Sequence, residues 1–572
     1  MNTSDRQLRK QNVDAQKFVE IALTLLTVMT FWRFQALYGF SLTDDGAILA
    51  MSDRIMNGQS PHSDFFTIRP AGSAYLHSLV TVLDIGVLAY DRLFVVIELY
   101  FISYVTIKIL IRKKHIPGIL TWLLTTMAFL VNVNTWPIMA WHTIDGLFFF
   151  SIALRLAIVE CSRKYLQTAS SIFLWIMVGF SALSKQGFLL SFLVITFYLV
   201  AIRESDKVKY AIFSLVPIVV YFSLSQDAEP SAYTQLSFGS SKVSDALLPL
   251  WVAFNNFLDL KMFSLLLFTS ALSLITSINI KGKNHFSILS QHYGVFVIYA
   301  IPIAIGIAQE FSMSGSWIYF VVVSASINLA ILAEDRHEYS GLVAMLFVAL
   351  VISISRGVPI PSLLAGSFLV SGIYQHMSYG MRDNSTRINL KQKIVSLSLI
   401  VTLLTSTVIS RNNHIYQEGA RSNIRFELDE PSLRYIRMSD RTALYISLIK
   451  ECIREYPAKD VAILPDGAAI YPLLNLSNPF HLDWFYNMEI DPNDKKSGLY
   501  VHRSKMLGVV EELNSKDGWL ILFQSRKFTD YTVENVGQHG MEFSYIESDL
   551  DILKNLVGQR VTCGSLSGIY SP

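Results

Sequence analysis

Apolar residues in this chain fall in long blocks separated by short polar punctuation, not at the alternating spacing of a soluble core. The blocks lie at roughly 18–38, 93–111, 116–133, 143–159, 170–184, 187–202, 210–224, 261–280, 293–308, 317–333, 340–355, 361–377 and 393–410. A helix that crosses a bilayer needs about 20 apolar residues, and fewer where neighbouring helices bury its polar groups. The pattern predicts a polytopic α-helical membrane protein with about 13 transmembrane helices. Beyond residue 410 the period changes. Pro431–Tyr456 has helical spacing, VAILP at 461–465 and WLILF at 519–523 read as buried strands, and Asp549–Leu556 reads as a helix. These elements predict a C-terminal soluble α/β domain over 411–572.

Composition agrees with that division. The 572 residues are 52% hydrophobic and 16% charged. Of the 92 charged residues (47 basic, 45 acidic), 40 lie in 411–572 and 52 in 1–410. The tail thus has the charge density of an ordinary soluble domain, about 25%, and the body about half of it. A net charge of +2 without a dense basic run gives no reason to expect nucleic acid, and 12% aromatic residues exclude a disordered chain. Three cysteines without a CxxC pair argue against zinc or iron–sulfur ligation.

Lys and Arg accumulate on the cytoplasmic side of membrane proteins. With residues 1–17 read as a cytoplasmic tail, the basic clusters at 6–17, 112–114, 163–164, 203–209, 281–283 and 382–393 all fall inside. An odd number of spans then places 411–572 outside, which predicts a multi-pass protein of a bacterial inner (plasma) membrane with a periplasmic C-terminal domain. Cys452 and Cys563 both lie in that exported part, where a disulfide is permitted; the sequence leaves their pairing open.

Within the body, 18–410, two outer loops are long. In the first, about 39–92, the apolar spacing of Ala47–Met56 predicts a helix on the membrane surface, and Ala71–Leu83 is too short to span. The second covers about 225–260.

Candidate chemistry sits at this outer face. Asp44 and Asp45 are adjacent carboxylates just after the first span, suited to general-base work or cation binding. The plainer reading is a helix N-cap in a solvated loop. Arg69 carries a planar fork that matches phosphate, and Lys185 stands at the outer end of a span, where it either meets a lipid phosphate or snorkels. Asp64 could hold the loop by pairing with Arg69. In Trp141-His142-Thr143-Ile144-Asp145, His142 could donate to phosphate and Asp145 could be a second acidic group, or the segment simply caps a helix. Gln186 adjoins Lys185, and Glu310 reads as a solvated loop residue.

Asp44-Asp45-Gly46, the segment GQSPHSDFFTIRPAG at 58–72, Asp91-Arg92 and Ser184-Lys185-Gln186, in this order, resemble the C-type polytopic membrane glycosyltransferases, the GT-C superfamily. The resemblance covers roughly 18–225. One motif departs: Arg69-Pro70-Ala71-Gly72 lacks the family's second proline. Leu464-Pro465-Asp466-Gly467 and Asn478-Pro479 are loosely similar to exported tails of bacterial relatives. The resemblance does not single out a mannosyl-, arabinosyl- or glucosyl-transferring branch. It implies transfer of a sugar from a polyprenyl-phosphate donor to a glycan, lipid or protein acceptor, with Asp44 as base, Asp45 as alternative base or orienting group, Arg69, Lys185 and His142 on the donor phosphate, and Asp64, Asp145 and Gln186 in support. No cofactor is expected. Asp44, Asp45 and Asp145 could make an oxygen-rich divalent site, and the superfamily contains members with and without a metal; the expectation here is none. A transporter or flippase, or a scaffold using 411–572, are the competing classes; charges clustered at one face rather than at the midplane argue against transport.

Overall fold

The computed structural model describes residues 3–238, 299–483, 503–536 and 553–572, less short stretches of which the longest are 112–117, 310–316, 354–361, 381–385 and 525–532. The expected span 261–280, most of the loop at about 225–260, Glu310 and Pro465-Asp466 lie outside the described residues.

The body is helical: α1 (Thr3–Phe31), α2 (Asp44–Met56), α3 (Gly72–Thr81), α4 (Val87–Leu110), α5 (Gly118–Asn134), α6 (His142–Ala157), α7 (Lys164–Ser184), α8 (Ser191–Ala201) and α9 (Leu215–Leu224), then helices over Trp317–Leu332, Arg336–Phe347, Ser362–Gly380 and Thr386–Asn413. Among the described residues, four helices are long and apolar enough to cross a membrane: Ala15–Ala36, Val87–Leu110, Lys164–Ser184 and Ser205–Leu224. Several others are apolar but shorter. The bundle core joins Val95, Leu99, Phe129, Leu147, Trp175 and Phe368. Outside it, Phe18, Leu25, Leu193, Phe197, Leu215 and Val219 are exposed, an apolar girdle that water would penalise and lipid would not.

The two short outer helices take their places by burial. α2 and α3 pack on each other, and α3 rests on α4, α6 and α7. Gly72 is required there, since a Cβ would stand 2.4 Å from the Leu183 carbonyl oxygen. The glycine of the Arg-Pro-Ala-Gly turn thus lets the loop lie directly on the C-terminal end of α7.

The tail contains a two-stranded antiparallel ribbon, β1 (Ile424–Phe426) with β2 (Met438–Ser439). It also contains a four-stranded sheet in the order β3 (Asp460–Leu464), β4 (Trp519–Gln524), β6 (Leu566–Ser571), β5 (Gln559–Cys563). β3 runs parallel to β4; the other pairs are antiparallel. The helical stretch expected at Pro431–Tyr456 is shorter, Asp440–Glu455. Pro431 opens a single 3-10 turn, Ser439 caps the α-helix by accepting from Thr442 N, and β2 occupies the residues before it. Cys452 and Cys563 are joined as a disulfide between that helix and β5.

Tail and first outer loop share their cores. Leu37, Phe40, Leu42 and Leu49 pack with Leu433, Tyr445, Ile463 and Leu520, while Phe66 and Ile68 pack with Leu464, Phe480 and Trp519. Gly46 lies so close to the tail that a Cβ would stand 2.1 Å from Ala469 Cα. Loop and tail are therefore one packed unit at this face.

Candidate active site

The first half of the site is built on the N-terminus of α2. Asp44 Oδ2 accepts from the Tyr416 hydroxyl at 2.5 Å and from Gln417 Nε2 at 3.2 Å. Burial raises the pKa of its carboxyl, partly opposed by the tyrosine bond, which favours the anion. Asp45 points the other way. Its Oδ2 accepts from Arg92 at 2.9 Å and from the Ser41 backbone N–H at 2.8 Å. Its Oδ1 has no partner among the described residues. Burial raises its pKa too, against the pull of Arg92. Neither aspartate serves as the side-chain cap of α2: the N-cap is Thr43, and the Ser41 hydroxyl receives the Asp44 N–H.

Asp45 lines a cavity of about 470 Å³ together with Arg92, Arg411, His414, Tyr416 and Gln417 among others, the last two being the partners of Asp44. Tyr416 and Gln417 come from the segment just after the last body helix. Glu418 fixes that segment by accepting from Phe40 N, Ser439 N and the Thr442 hydroxyl. Arg411 donates to the Val133 carbonyl, and its buried Nε has no partner among the described residues.

The second half lies across α3. Lys185, buried at the C-terminal end of α7, donates to the Thr143 hydroxyl at 3.3 Å. His142 bonds the Ser184 carbonyl, feels the charges of Arg69, Lys185 and His77, and keeps a buried Nδ1 without a partner among the described residues. Gln186 donates to the Ile68 carbonyl at 2.6 Å, so it holds the loop residue next to Arg69. Asp64 turns away from Arg69 and accepts from Ser60 N at 2.6 Å, closing the local turn; the expected Asp64–Arg69 pair is replaced by this turn.

The structure therefore brings together Arg69, Lys185, His142 and Gln186, and separately Asp44 and Asp45. Asp145 joins neither half directly. It meets His77, whose ring lies 2.5 Å from Asp91 Oδ1 and 3.2 Å from Asp145 Oδ1; among the described residues Asp145 groups with His77 and Glu98, and not with Asp44 and Asp45, at a spacing that one ion could close. Asp91 and Arg92 are consecutive on α4: Arg92 holds Asp45, and Asp91 holds His77.

Several residues of this face carried no assigned role in the sequence. Tyr416 and Gln417 look like ordinary tail residues. His62 looks like loop, yet it is buried between Gln235 (3.0 Å) and Tyr221 (2.6 Å), and burial lowers its pKa to about 4. Tyr221 in turn receives the Ala71 N–H, so a neutral histidine and a tyrosine hold the Arg69–Gly72 turn from behind.

No protein-family model matches the chain, and no curated protein does. Among solved structures it is similar to ArnT from Cupriavidus metallidurans bound to undecaprenyl phosphate, with 10% identity, TM-score 0.49, and coverage of 96% of this chain and 97% of that one. The apo form of the same protein gives 10% identity, TM-score 0.43 and coverage of 90% and 93%. The archaeal oligosaccharyltransferase AglB from Archaeoglobus fulgidus, in complex with an inhibitory peptide and a dolichol-phosphate, gives 12%, 0.44, and 89% and 70%.

Proposed function

We propose that this protein is an inverting GT-C glycosyltransferase that moves a sugar from a polyprenyl-phosphate donor to a hydroxyl of an envelope glycan, lipid or protein acceptor at the exported face of a bacterial membrane. The observation that carries the reading is Asp44: a half-buried carboxylate held by Tyr416 and Gln417, which line a cavity, on the same loop as a turn that presents Arg69 beside Lys185 and His142.

The chemistry needs a base, a cationic cradle and room for two substrates. Asp44 takes the proton of the acceptor hydroxyl as its oxygen attacks the anomeric carbon. The bond from that carbon to the phosphate oxygen breaks, and the phosphate keeps the electron pair. Arg69 and Lys185 supply positive charge and donors for that oxygen, and the neutral His142 ring packs beside them with its N–H on the Ser184 carbonyl. Asp45 is tied to Arg92 and serves as an orienting group. Inversion follows from a single displacement without a covalent enzyme intermediate. The apolar girdle faces membrane lipid and leaves the isoprenoid tail in the bilayer.

The test is the purified full chain with a labelled polyprenyl-phosphate sugar and cell-envelope acceptors. Label transferred to an acceptor supports the reading. Movement of the donor across vesicles without transfer would make the protein a flippase, and neither outcome would leave a scaffold.

A further inference from the structure

We propose that His77, Glu98 and Asp145 form a buried divalent-cation site, with Asp91 orienting the histidine. The three candidate ligands come from three elements, α3, α4 and α6, and all are fully buried. One ligand atom from each lies within 4.8 Å of the others, a spacing that one ion can close.

The hydrogen bonds define the roles. Asp91 Oδ1 takes His77 Nδ1 at 2.5 Å, which fixes the ring with Nε2 toward Asp145. A carboxylate behind a histidine whose other nitrogen faces further carboxylates is the arrangement by which proteins orient a metal-binding imidazole. Glu98 is fully buried against Asp145, the carboxylate that it could bond only through a shared proton; apart from that its oxygens, Asp145 Oδ2 and Asp91 Oδ2 have no hydrogen-bond partner among the described residues. Two buried carboxylates set face to face need a proton or a cation between them, and the histidine aimed at the same point favours the cation.

Charge leads to the same place. Three carboxylates and one imidazole leave a net negative cluster even with the ring protonated. The neighbouring cations are occupied, Arg92 on Asp45 and the Ala36 carbonyl, and Lys185 on Thr143. A divalent ion offsets most of this charge and satisfies the oxygens at once. One imidazole nitrogen with two carboxylates suits zinc or manganese better than magnesium, which prefers oxygen and water. The ion would lie about one helical turn from His142 along α6 and would fasten the outer-loop helix α3 to α4 and α6. This placement does not depend on the transferase reading.

The experiment uses the full chain in detergent, stripped with chelator and then given Zn2+, Mn2+ or Mg2+, with metal content and thermal unfolding as readouts. The expected result is about one tightly held Zn2+ or Mn2+ per chain and a higher unfolding temperature, both lost in His77→Gln and Glu98→Gln. Should those variants fail to fold, Co2+ added to the wild type decides the matter, since visible absorption bands of a nitrogen–oxygen site are expected. No stoichiometric metal, no thermal shift and no cobalt bands would overturn the proposal. So would a Glu98→Gln protein at least as stable as the wild type in every metal, because a proton shared between Glu98 and Asp145 would then account for the cluster.

Discussion

Tyr416 donates its hydroxyl to Asp44 across 372 residues of sequence, at 2.5 Å. A tail residue thereby sets the state of a carboxylate on the first outer loop. The bond favours the anion, whereas burial favours the acid, and the net shift is upward. A base works only above its pKa. Tyr416→Phe removes the opposing term, so the acidic limb of the pH–rate profile should move to higher pH. An unmoved limb with an intact fold would separate Tyr416 from the base.

Close packing of loop on tail gives a second expectation. In Gly46→Ala the new methyl would meet the Ala469 backbone at 2.1 Å, and overpacking of this kind costs about 1–3 kcal/mol. Stability and transfer should both fall. Gly508→Ala is the control: no atom lies within 4 Å of its Cβ position, and a helical Gly-to-Ala change gains up to about 1 kcal/mol. Thermal unfolding of both variants checks the contrast.

How much of this was legible in the sequence depends on the kind of residue. Asp44, Asp45, Arg69 and Lys185 stood out because charge is rare in an apolar body. The Arg-Pro-Ala-Gly glycine was visible as a motif, and the structure supplies its reason in the Leu183 carbonyl. Partners were not legible. Tyr416 and Gln417 reach Asp44 only through the fold, and His77 sits in the run AYLHSLVT, where nothing distinguishes a ligand from a core histidine. Phe66 and Ile68 join the tail core, a contact their sequence does not announce because an apolar side chain does not name its partner.

Donor binding separates the two charged residues of the first loop. Arg69→Ala should raise the donor KM roughly ten- to a hundredfold, the worth of one or two charge-assisted bonds. Asp64→Ala, which loses only the Ser60 turn, should change it far less. Gln186→Ala should fall between, because it frees the Ile68 carbonyl beside Arg69. Steady-state kinetics with varied donor decide the order, and a larger effect at Asp64 would overturn the assignment.

The Cys452–Cys563 bond closes a loop of 111 residues. Loss of a crosslink this long costs about 2–5 kcal/mol in small exported domains. Paired Cys452→Ser and Cys563→Ser substitutions, or reductant, should lower the unfolding temperature of the tail. Two free thiols titrated in the untreated, denatured protein would contradict the pairing.

The most direct measurement is transfer by Asp44→Asn, purified from membranes and shown to be monodisperse, with a labelled polyprenyl-phosphate sugar and envelope acceptors. Asparagine keeps the shape and can still bond Tyr416, but it cannot take a proton. Transfer should drop by about 10²–10⁴-fold while donor binding persists. Wild-type transfer in that variant would remove Asp44 as the base and with it the central claim.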